Sequence, residues 1–102
     1  MWAQLITSRL KPGREGDLPA LMKQIQDAEQ PDSGLVTSTA MQDQNDPTCV
    51  RMLVVFESEE KARSREIDPR RQAALQVARE MMAEIFEGAP EFVDLTVVDT
   101  TS

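Results

Sequence analysis

The sequence predicts an α+β domain of the ferredoxin-like type, a βαββαβ chain whose antiparallel four-stranded sheet carries its helices on one face. Three observations predict it. Apolar patterns of period two and period 3.6 follow one another in the order strand, helix, strand, strand, helix, strand. The connections between them are short. Together they fill nearly all of the 102 residues, enough for one core, so a single domain spanning 1–102 is expected.

Residues Trp2 to Leu10 alternate, with Ala3, Leu5 and Thr7 on one side and Trp2, Gln4, Ile6 and Ser8 on the other, which reads as the first strand. Pro12 and Gly13 break it. Asp17 is a candidate cap for a helix whose Leu18, Leu21, Met22, Ile25 and Ala28 share one face, with Pro19 in the first turn and a stop near Gln30. The turn Pro31-Asp32-Ser33-Gly34 leads into Leu35 to Gln42, and Asn45-Asp46-Pro47 separates that run from Cys49 to Glu57. Two antiparallel strands of a hairpin follow. Ser58 with Glu59 and Glu60 starts a short helix, the acids lying at the positive end of its dipole. Asp68-Pro69 opens a longer one with an apolar stripe of Ala74, Ala78, Met81, Met82 and Ile85, ended by Gly88 and Pro90. Phe92 to Val98 is the last strand.

Composition removes whole classes of function. With 18 acidic and 11 basic residues the net charge is −7, which repels phosphate backbones and anionic headgroups, so neither nucleic acid nor a membrane surface is an expected partner. The longest apolar run, Met52 to Phe56, is far too short to span a bilayer. No histidine and no tyrosine are present, which excludes Ser-His-Asp and Cys-His nucleophile systems and removes the commonest metal ligand. Cys49 stands alone, so no internal disulfide forms, and a cytoplasmic location is expected. Asp43-x-Asn45-Asp46 lacks the glycine and terminal glutamate of a calcium loop and reads as a hairpin turn; no metal site is expected.

Alternation sorts the strands into two faces. Val50, Met52, Val54, Phe56, Val36, Ala40, Ala3, Leu5, Val93, Leu95 and Val97 form an apolar layer expected under the helices. The opposite face collects Trp2, Ile6, Thr37, Thr39, Met41, Leu53 and Phe92 as candidate ligand-binding residues, together with Gln4, Leu35, Cys49, Arg51, Val55 and Asp94. It is too apolar to stand open to water, so a homodimer burying that face is expected. Its polar members then line a cavity for a small molecule, or Arg51 and Asp94 form a structural pair within a plain interface.

Phe56-Glu57-Ser58-Glu59-Glu60-Lys61-Ala62 and the later Asp68-Pro69-Arg70 resemble the antibiotic biosynthesis monooxygenase-like family of dimeric α/β barrels. The likeness covers nearly the full length. Members often carry an aromatic-x-Ser-x-x-x-Ala opening, then His, and later Ser-Pro-His; here Arg65 or Glu66, depending on register, stands near the first His and Arg70 at the second. The resemblance implies oxygenation of a small aromatic phenol or quinol with neither metal nor flavin, so no cofactor is expected. On that reading Glu66 or Asp68 is the candidate base, and Arg51 or Arg65 steadies the substrate anion. Haem degradation, found in relatives of the fold, is excluded for want of a proximal histidine. A noncatalytic small-molecule binder or structural dimer is the alternative.

Overall fold

A computed structural model describes residues 1–101. Strands β1 (Trp2–Arg9), β2 (Leu35–Gln42), β3 (Cys49–Phe56) and β4 (Glu91–Thr96) form one antiparallel sheet in the order β2-β3-β1-β4. Helix α1 (Leu18–Asp27) links β1 to β2, and α2 (Glu59–Glu66), α3 (Pro69–Ala74) and α4 (Gln76–Ile85) link β3 to β4. The fold is ferredoxin-like, as the element order predicts.

Local signals explain most boundaries. The Ser58 hydroxyl accepts the Lys61 amide at 3.2 Å, and the Asp68 carboxylate accepts the Arg70 amide at 2.9 Å. Asp17 does not cap α1; its carboxylate is taken by Arg14 at the end of a 3-10 turn over Glu15–Asp17. The turn before β2 places Asp32 at φ 65° and Gly34 at φ 81°, and a side chain on Gly34 would strike the stem of Lys61. The long helix flexes at Leu75, which divides α3 from α4. Ala78 and Ile85 are buried as expected, but the stripe begins at Leu75, three residues before Ala78, and the expected Ala74 is exposed.

Register corrects the expected faces. In an antiparallel ladder directly opposed residues share a face. Val50, Val54 and Phe56 are buried on the helix side of β3, and they oppose Ser8, Gln4 and Trp2. Trp2 in turn opposes Thr96, and Ile6 opposes Phe92. Trp2, Ile6 and Phe92 therefore lie on the helix side, while Ala3, Leu5, Val93 and Leu95 lie on the outer face, the reverse of the expectation. Neither phase of β1 is distinctly apolar, so pairing with β3 decides it. In β2 a bulge between Leu35 and Thr37 displaces Val36, leaving Leu35 packed on the helix side against Trp2, Val54 and Phe56. Thr37, Thr39 and Met41 oppose Val55, Leu53 and Arg51 on the outer face, where they were expected.

The core has two parts. Leu10, Leu21, Ala28, Val50, Leu75, Ala78 and Ile85 pack where α1 and α4 meet the sheet. Trp2, Val54, Phe56 and Ala62 pack beneath α2. The space between them is not filled.

Candidate functional site

That space is a cavity of about 570 Å³ between the sheet and the helices, within the range of small-molecule sites. Ile6, Val50, Met52, Val54 and Phe92 form its floor, and Met22, Ile25, Leu75, Met82 and Phe86 its roof. Ser8 and Ser38 add hydroxyls from the sheet, and Arg65, Arg71 and Arg79 bring guanidinium groups from the helices. An adjoining hollow of about 320 Å³ shares Ile6, Val54, Phe92 and the same arginines, and extends to Trp2, Gln4 and Glu66. The walls of the larger cavity are apolar and the charge on them is positive, whereas the hollow adds the Glu66 carboxylate.

The arginines differ in how fully they are engaged. Arg65 meets Glu29 of the α1–β2 connection in a bidentate pair, with Nε to Oε2 at 3.0 Å and Nη2 to Oε1 at 2.7 Å. Both side chains are largely covered, at 13% and 21% exposure, and the Arg65 guanidinium lies 5.1 Å from the centre of the Phe56 ring. Burial pushes the Glu29 carboxyl up, but hydrogen bonds from Arg65 and Ser33, with the positive charge of Arg65 and Arg71, outweigh it and hold Glu29 below its usual range. Arg63 sits 5.0 Å from the Trp2 ring centre and is held by Asp94 at 2.9 Å, Glu66 at 3.0 Å and Glu59 at 3.3 Å.

Arg71 is different. It is half-buried, and among the described residues it has neither an ion pair nor a side-chain hydrogen bond. Burial lowers its affinity for a proton, and the like charges of Arg65 and Arg79 add to the effect against the opposing pull of Glu29 and Glu66. Arg79 donates to the Oε1 of Gln72, whose amide nitrogen donates to the Glu66 carbonyl. Both guanidinium groups retain donors for something else.

The expected site residues are divided between the two sides of the sheet. Trp2, Ile6, Phe92, Arg65 and Glu66 border the helix-side spaces. Arg51, Thr37, Thr39, Met41 and Leu53 lie on the outer face, away from the cavity. Arg51 pairs with Asp43 at 3.2 Å and Asp94 with Arg63, so the expected Arg51–Asp94 pair does not form. Asp68 is bonded to Arg70 and its carboxyl is pulled down to about 2, with the Arg70 side-chain hydrogen bond the leading cause. Sequence reasoning missed Arg71 and Arg79. Their signal is a spacing: four residues before and four after the buried Leu75, they flank the apolar stripe of α3 and α4, Arg71 half-buried and Arg79 exposed.

Among the described residues no group of three or more His, Cys, Asp or Glu is gathered to hold a metal ion, and no helix is long and apolar enough to cross a membrane.

Solved structures with this arrangement are numerous. A candidate antibiotic biosynthesis monooxygenase from Nitrosomonas europaea matches 97% of this chain and 100% of its own, with a TM-score of 0.76 and 13% identity. A protein of the same description from Bordetella bronchiseptica matches 95% and 96%, with a TM-score of 0.75 and 20% identity. A third, from Chloroflexus aurantiacus J-10-fl, matches 100% and 98% at a TM-score of 0.70 and 21% identity. The chain shares their fold. No protein-family model and no curated protein sequence matches it. At such identities the shared architecture says nothing of chemistry, which rests on the residues around the cavity.

Proposed function

We propose that this protein binds a small aromatic molecule in the helix-side cavity and oxygenates it without a metal or organic cofactor. The observation that carries the reading is a cavity of about 570 Å³ with apolar walls and guanidinium groups at its helical side. An electron-rich phenol bound there loses its proton more readily, because neighbouring positive charge favours the phenolate. The phenolate is the form that reacts with dioxygen. One oxygen atom enters the ring to form a quinone, the other leaves as water, and the electrons come from the substrate itself. Glu66, at the margin of the adjoining hollow, is the candidate proton acceptor, and Arg65 steadies the site through Glu29. The names of the structural neighbours are in keeping with this chemistry.

Two copies form the working unit in this proposal, joined through their outer sheet faces. Leu5, Leu53 and Val55 lie there with Val93 at 50%, Leu95 at 38% and Met41 at 44% exposure. Each such side chain contributes roughly 1.5–3 kcal/mol when fully buried, so a second copy of the same face is a favourable cover.

Oxygen uptake with a panel of phenols, quinols and anthrone-like compounds, in the presence of chelator, tests the activity. Uptake that survives chelation and falls at least tenfold in Glu66→Gln is the expected result; absence of uptake across the panel defeats it. A second reading, a binder without catalysis, is favoured by one observation: no carboxylate lines the larger cavity. Quenching of Trp2 fluorescence by the same compounds without oxygen uptake would select it.

A further inference from the structure

We propose that the natural ligand is an organic monoanion, an apolar ring body seated on the methionines of the cavity with one carboxylate-type group held by Arg71 and Arg79. This rests on reading the cavity as a small-molecule site, and adds the sign and position of the ligand's charge.

The argument begins with charge. The chain carries −7 overall, yet Arg65, Arg71 and Arg79 all line this one cavity, which no carboxylate lines. Glu29 is bonded to Arg65 and acts on Arg71 only through space. Net charge keeps polyanions away at long range, whereas the local field inside the cavity draws in a small anion. A nucleic acid or an anionic lipid surface meets the first field before the second.

Partners make the assignment specific. Arg65 is saturated by the bidentate Glu29 pair, and Arg63 is shared among Asp94, Glu66 and Glu59. Arg79 meets only the neutral amide of Gln72. Arg71 meets no acceptor among the described residues, although it is half-buried and stands near two other positive charges. No fully buried side-chain nitrogen or oxygen among those residues is left without a partner. The Arg71 donors therefore face space that a ligand can enter, not the packed interior. A guanidinium in that position is crowded by the like charges of Arg65 and Arg79 and offers a planar fork matched to a carboxylate. Met22, Met52 and Met82, adaptable and polarizable, suit an aromatic body beside it.

The test uses 2-naphthoate and its neutral counterpart 2-naphthalenemethanol, titrated calorimetrically into the full chain at pH 7. The naphthoate is expected to bind at least tenfold more tightly, with the difference shrinking as salt is raised. Arg71→Met should bring naphthoate to the affinity of the alcohol, leave the alcohol unchanged, and raise the melting temperature of the ligand-free protein. Arg71→Lys should keep only part of the preference, because it retains charge and loses the fork. Should Arg71→Met fail to fold, Arg71→Lys and Arg79→Met carry the comparison. Equal binding of the two probes overturns the anion assignment while leaving an aromatic cavity in place. Binding of neither at millimolar concentration overturns both readings. Met82→Trp, which fills the cavity, should abolish both titrations; binding that survives it lies elsewhere and overturns the proposal.

Discussion

The two faces of the sheet differ in the opposite sense from their surroundings. The helix side is covered along β1 and β3, where Trp2, Val50, Val54 and Phe56 are buried, yet it also holds the serines, Gln4, Asp94 and a hollow rimmed by arginines. The outer side has no cover within the chain, yet it carries Leu5, Leu53, Val55, Val93 and Leu95. A solitary domain gains by the reverse arrangement, because apolar area is best placed under helices and polar area in water. On the proposed reading the difference has a purpose: the outer face meets a second copy and the helix face takes a small molecule.

Breaking the outer face has the greatest consequence for this contrast. The double substitution Leu53→Glu with Leu95→Glu should weaken self-association by about 5 kcal/mol or more, roughly three to four decades in Kd. Sedimentation should show a single chain at micromolar concentration with unchanged far-ultraviolet circular dichroism. A wild-type protein that already sediments as one chain would defeat the assignment of that face. The same loss of apolar bulk on the helix side should act on folding instead. Ile85→Ala, at a residue 2% exposed, should cost about 2–5 kcal/mol in urea denaturation and leave association untouched among molecules that fold.

The paired and unpaired arginines offer a finer contrast. Arg65→Ala removes the partner of the covered Glu29 carboxylate and should cost about 2 kcal/mol near neutral pH. The pH dependence has a definite sign. Glu29 is held below its ordinary value of 4.5, so its contribution is complete above that pH and is lost as pH falls through the lower folded value. The stability difference between wild type and Arg65→Ala should accordingly narrow in acid, measured by denaturation at pH 6 and at pH 3. Arg71→Met should act the other way, stabilising the empty protein by about 1 kcal/mol and raising its melting temperature by roughly 4–8 °C. A fall in melting temperature would give Arg71 a structural partner and weaken the ligand assignment.

Short-range chemistry made much of the fold legible in the chain. Ser58 and Asp68 mark helix starts because a side-chain oxygen meets an amide two or three residues on, and Leu21, Ala28, Ala78 and Ile85 reveal buried faces by helical spacing. The strand faces were less legible. Val93 and Leu95 look like core by their apolarity, but β4 inherits its phase from β1, and β1 from β3, through a ladder in which opposed residues share a side. The bulge at Leu35/Thr37 left no pattern that alternation could detect.

For the site the division is similar. Composition excluded histidine chemistry and set the overall charge, since those are sums over residues that no fold can alter. Which arginines matter was decided in three dimensions: Glu29 and Arg65 are 36 positions apart and meet only after folding, and their pairing leaves Arg71 without a carboxylate. Local sequence governs interactions across a few residues, whereas the placement of a cavity and the partner left over for a buried charge depend on contacts between distant segments. Those contacts exist only once the sheet has closed against its helices.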